Sequence, residues 1–194
     1  MAIINVVNYK KIERRESKVG PIMRMSLKNG VERVLHVKGN YTGGILEMTL
    51  VVDCGLPEDY VRELSAETAS ILRSHSEVFR NVRLNLLYWQ SDETMTNRVI
   101  PISFLQTSGC FSEYHSEQNR KRLEVLAAKL KLFHARSKLI LVLADKEIYV
   151  EDEQALLQNM RPFLEKKSLF LQKDDPKGEW RRGMEYLRQG GGVL

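Results

Sequence analysis

Residues 139–144 read Leu-Ile-Leu-Val-Leu-Ala, six apolar residues with no polar alternation, and Asp145 follows at once. The run is far below the roughly 20 residues of a membrane span, and too uniformly apolar for a strand with one face in water. It predicts a strand buried on both faces. Such strands belong to parallel sheets covered by helices above and below, so this segment points to a three-layer α/β domain.

The rest of the chain alternates between the two periods in a way that fits. Ile45 to Val52 is a second compact apolar run, closed by Asp53-Cys54-Gly55-Leu56-Pro57. Pro57, Glu58 and Asp59 suit a helix start, and Val61, Leu64, Thr68, Ile71 and Leu72 then recur at helical spacing. Val82 to Trp89 is another strand, ending in Gln90-Ser91-Asp92-Glu93. Val99, Ile100, Ile102 and Phe104 predict a short strand that Pro101 confines to an edge. A helix is expected from Ser116 to about His134, with Leu123, Leu126, Ala127, Leu130 and Phe133 on one stripe. A helix at about 151–160, a short strand at 168–171 and a last helix at 179–188 complete the pattern, and the Gly190-Gly191-Gly192 tail is expected to fray.

The first forty residues differ. Met23, Met25 and Leu27 alternate with Arg24, Ser26 and Lys28, and Asn29-Gly30 is a strong hairpin signal. The expected organisation is an N-terminal β extension over 1–40 with a hairpin at about 22–37, an α/β domain over 41–172, and a C-terminal helix and tail over 173–194. At 194 residues, a second catalytic domain is not expected.

Charge narrows the function classes. The net charge is +5. Residues 1–40 carry nine Lys/Arg against three Glu, residues 166–194 carry seven against four acidic residues, and the middle is mildly acidic. The basic clusters Lys10 to Arg15, Arg120-Lys121-Arg122 and Arg181-Arg182 are each bordered by glutamates, which marks a solvated face more than a nucleic-acid surface. No charged-then-apolar leader opens the chain, and Cys54 and Cys110 cannot build a disulfide framework, so a cytoplasmic protein is expected.

Functional loops of parallel sheets lie at the carboxyl ends of the strands. Here those positions hold Asp53 to Pro57, Gln90 to Glu93 and Asp145 to Glu147. The order is an Asp after the first strand, Ser91-Asp92 after the second, a Gly-containing loop (Thr107-Ser108-Gly109-Cys110) before the next helix, and Asp145 closing an apolar strand. This order resembles the von Willebrand factor A domain family over about residues 44–172. The resemblance implies a Rossmann-like sheet and a metal-ion-dependent adhesion site of the Asp-x-Ser-x-Ser type, completed by a Thr and a second Asp. Asp53 and Asp145 match the two aspartates. Gly55 and Pro57 stand where the family has hydroxyls, and Cys110 stands at the Thr position. Magnesium needs about six oxygen ligands, so two carboxylates hold it at most weakly. A degenerate site is therefore expected, with no required cofactor. The binding rim would be Cys54, Gly55, Ser91, Asp92, Thr107, Ser108, Gly109 and Lys146.

The resemblance further implies a non-enzymatic module that binds a protein partner within a larger intracellular assembly, for example with an ATPase of the AAA+ class. Two rival readings are a magnesium-dependent hydrolase or phosphoryl-transfer enzyme using Asp53 and Asp145, and a nucleic-acid binder using the basic ends. The chain offers the enzyme reading no phosphate loop, nucleophile elbow or zinc helix. His36, His75, His115 and His134 share no ligand spacing.

Overall fold

The computed structural model describes residues 17–36, 44–75, 79–89, 95–118 and 120–175, with backbone alone at 95–97 and 108. Five strands form one sheet in the order β3-β2-β1-β5-β7: β1 (Ile45–Asp53), β2 (Asn81–Trp89), β3 (Met95–Pro101), β5 (Leu139–Ala144) and β7 (Ser168–Gln172). Four strands are parallel, and β3 pairs antiparallel with β2 at one edge. The edge position agrees with the expectation from Pro101, which has no N–H for a ladder, but the strand ends there, and Ile102 and Phe104, expected within it, lie in a 3-10 turn. A small parallel pair, β4 (Lys121–Arg122) with β6 (Ile148–Tyr149), lies apart from the sheet.

The sheet is covered on both faces, which is why the β5 run needs no polar alternation. Leu139, Leu141 and Leu143 enter one core with Leu46, Met48, Leu50 and Val52 of β1, beneath α1 (Pro21–Leu35) and α2 (Glu58–Arg73). Ile140, Val142 and Ala144 enter the other with Val51, Leu87 and Trp89. That second core contains Leu123, Leu126, Ala127 and Leu130 of α3 (Leu123–Leu130) and Leu156 of α4 (Glu153–Asn159); the short α5 (Arg161–Leu164) follows. The α/β, Rossmann-like class expected from the sequence is the class observed. Among the described residues, no helix is long and apolar enough to cross a membrane.

Two expectations are corrected. The hairpin at 22–37 is instead the helix α1, with Gly20 at its N-cap and Pro21 in its first turn. Met23, Leu27, Val31 and Val34 are buried at helical spacing, whereas Met25, which completed the apparent alternation, is exposed. Gly30 serves close approach rather than a turn. A Cβ there would stand 2.5 Å from Leu169 Cδ1, so its absence lets α1 lie against β7. This segment joins the main core rather than extending it.

The helix expected from Ser116 begins only at Leu123, with Arg122 at its N-cap. Residues before it run non-helically across the strand ends and pair through β4. Leu123, Leu126, Ala127 and Leu130 form the buried stripe as expected, but α3 ends at Leu130 and leaves Phe133 half-buried in the following turn, and Ser116 caps nothing helical. The first sixteen residues of the expected β extension, the last helix at 179–188 and the glycine tail lie outside the described residues.

Candidate functional site at the strand ends

The chain leaves β1 toward β2 on one side and later returns to β5 on the other, so β1 and β5 flank the point where the strand order reverses. Crevices outside the carboxyl ends of the strands at such a point are the usual binding places of open α/β sheets. Asp53 ends β1 and Asp145 directly follows β5. The fold therefore brings together two aspartates 92 residues apart in sequence.

Asp53 is almost completely buried, and its carboxylate is fully engaged. Oδ1 accepts the Gly55 amide at 2.7 Å, and Oδ2 accepts the Asp145 amide at 3.0 Å. The Lys121 ammonium lies 3.5 Å from Oδ1, with side chains 4% and 1% exposed for Lys121 and Asp53. Burial pushes the Asp53 carboxyl above its ordinary value; the two amides and the Lys121 charge oppose this, and the Asp145 charge adds to it. Asp145 is half-buried, and its backbone carbonyl accepts Gln172 Nε2 at 3.1 Å. A Cβ at Gly55 would stand 3.2 Å from carboxylate oxygens of both aspartates, so the smallest residue keeps this corner open.

The segment between β3 and α3 closes over this corner. It starts with two 3-10 turns, Ile102–Gln106 and Ser108–Phe111. Tyr114 then donates its hydroxyl to the Leu56 carbonyl and more weakly to that of Asp53, at 3.4 Å, and packs edge-on against Tyr88. The Glu117 amide donates to the Cys54 carbonyl at 2.6 Å, and the Lys121 amide donates to Glu147 at 2.8 Å. Lys121 Nζ also lies 3.5 Å from the Glu117 carbonyl.

The remaining rim residues have separate fates. Thr107 turns its hydroxyl onto the Phe104 carbonyl at 2.8 Å, and Gly109 is exposed beside the Phe104 ring. Cys110 is buried, and Arg98 donates to its carbonyl at 2.7 Å. Cys54 is buried too, and burial pushes its thiol up to about 12, which leaves it unreactive at neutral pH. Lys146 is exposed and paired with Asp174 at 2.8 Å. Ser91, Asp92 and the side chain of Ser108 lie outside the described residues.

The donor set does not fit magnesium. Gly55 and Pro57 bring no side-chain oxygen, both oxygens of Asp53 already accept amide protons, and an ammonium stands where added positive charge would have to approach. Among the described residues, no group of three or more His, Cys, Asp or Glu side chains is placed to hold a metal ion.

Lys121 and Tyr114 escaped the sequence reading. Lys121 stood inside a cluster read as a solvated helix face, yet Arg120 stacks over Tyr149 at 4.5 Å, Lys121 is buried on Asp53, and Arg122 pairs with Glu151 at 2.7 Å. The signal available was the lysine's alternation between two arginines just ahead of an apolar helix, the pattern of a short extended stretch. Compared with protein-family models, curated proteins and solved structures, the chain finds no match in any of the three.

Proposed function

We propose that this chain is a non-catalytic interaction domain of the von Willebrand factor A type, whose strand-end rim docks a protein partner without a metal ion. The observation that carries this reading is the buried Lys121–Asp53 pair. A carboxylate serving as metal ligand or general base needs an open side, and this one spends its charge on two backbone amides and the chain's own ammonium. The side-by-side placement of Asp53 and Asp145 supports the likeness to the family, and the missing hydroxyls at Gly55 and Pro57 support a degenerate site. The partner that this likeness implies is a component of an intracellular assembly, with an AAA+ ATPase as the leading candidate and the cytoplasm as its place.

Calorimetric titration with Mg²⁺ and Mn²⁺ tests the metal-independent part. No micromolar binding is expected; clear binding abolished by Asp145→Ala would overturn it in favour of a metal-dependent enzyme. The docking part is tested by comparing affinity capture from the source organism by the native chain and by a rim variant, Gly109→Arg. A specific partner lost from the variant is expected, whereas identical capture by both would move the docking surface elsewhere.

A further inference from the structure

A lysine and an aspartate that are both nearly inaccessible require an explanation, because removing either ion from water is costly and surface pairs are cheaper to make. The pair does not join neighbouring elements of the core. It joins the end of the central strand to a segment that is seated in the apolar core at Phe111 and Tyr114 but has no such seat at Lys121, and whose polar contacts with the strand ends include Tyr114 on Leu56, the Glu117 amide on Cys54, the Lys121 amide on Glu147, and Lys121 Nζ on Asp53. Two of the four are backbone amides on backbone carbonyls, which any segment of similar shape can make, and a third needs only the Tyr114 hydroxyl. The fourth is a charge pair that needs these two residues.

We propose that Lys121 is a tethered counter-ion that latches the segment carrying Tyr114 and Glu117 across the carboxyl ends of β1 and β5. The chain thereby supplies from within the positive charge that holds its strand-end rim closed. Covering the corner this way fixes Gly55, Asp145 and the crossing segment as one surface whose shape is independent of dissolved cations. Lys121 acts through Asp53 and is a positioning residue. The inference stands whether or not the rim docks a partner, and its experiment uses no partner.

Amine acylation of the native protein with an N-hydroxysuccinimide ester, read by peptide mass spectrometry, measures access to each lysine. Lys121 should react at least about tenfold more slowly than exposed Lys146, since reaction requires local opening. Asp53→Asn should raise the rate at Lys121 toward that of Lys146. Hydrogen exchange of Lys121→Met gives the second reading: the amides of Glu117 and of position 121 should lose protection by about tenfold or more, while those of β1 and β5 keep theirs. Equal acylation of Lys121 and Lys146 in the native protein would overturn the latch, as would unchanged exchange at Glu117 in the variant. If Lys121→Met does not fold, the acylation comparison in the native protein decides alone.

Discussion

Lys121 and Asp53 meet at 3.5 Å with almost no exposure, whereas Lys146 and Asp174, on the same end of the sheet, meet at 2.8 Å with side chains 60% and 58% exposed. The shorter pair is the less consequential one. Water solvates Lys146 and Asp174 whether or not they touch, so their separation changes little. Lys121 and Asp53 are shielded from water in the fold, and the Lys121 charge joins the Gly55 and Asp145 amides in opposing the burial that disfavours the Asp53 carboxylate. Distance is thus a poor guide to which ion pair shapes the rim, and burial is the better one.

The comparison is broken most severely by taking one partner from the buried pair. Lys121→Met should cost about 3–5 kcal/mol in denaturant unfolding, because it strands a buried carboxylate. That deficit should shrink on acidification, since a protonated Asp53 needs no counter-charge. A loss below about 1 kcal/mol at neutral pH would place the pair among surface interactions. Next in size, Lys121→Met combined with Asp53→Asn should recover much of the single-variant loss, and strict additivity in the double-mutant cycle would show the two residues to be uncoupled.

Intermediate burial gives an intermediate case. Glu63 and Glu165 have side chains 24% and 27% exposed. Burial works against their charged forms, but hydrogen bonds from Ser17, Lys18 and Arg24 hold Glu63 below its ordinary 4.5. Burial likewise opposes the charge on Glu165, and the Lys167 hydrogen bond, with the charges of Lys167, His134 and Arg161, holds it low as well. A carboxyl with a depressed pKa contributes stability above 4.5 that is lost as pH falls through the folded value. The stability gap between native protein and Glu63→Gln should therefore close as pH drops below 4.5, and a gap that widened would reverse the sign. The smallest effect is expected at the exposed pair: Lys146→Ala should leave the denaturant midpoint unchanged within error, and a clear shift would show that exposure alone does not separate the two pairs.

What was legible in the sequence follows from the same distinction between local and long-range information. β5 was readable because a strand buried on both faces is apolar over its whole length, and β1 and β2 because their carboxyl-terminal halves are buried in the same way, whereas β7 is an edge strand with alternating burial. Asp53 and Asp145 were readable as strand ends for the same reason. The hairpin reading of α1 failed because Met23, Met25 and Leu27 fit period 2 over five residues, and the helical set Met23, Leu27, Val31 and Val34 emerges only over a longer window. Gly30 was read as a turn residue, since its real partner, Leu169, lies on a distant strand. Lys121 failed in the same way. Its alternation with Arg120 and Arg122 hints at an extended stretch, but the counter-charge that buries it arrives from β1, far away in sequence.

The contact between Gly30 and Leu169 also bears on the order of synthesis. The apolar stripe of α1 emerges early, but its place on the sheet is finished only when β7, the last described strand, has been made. Until then Met23, Leu27 and Val31 have no complete seat, and closing so long a loop is slow compared with forming the helix itself. During synthesis α1 can settle against α2 and β1 first, and its seat is completed only when β7 closes against Gly30.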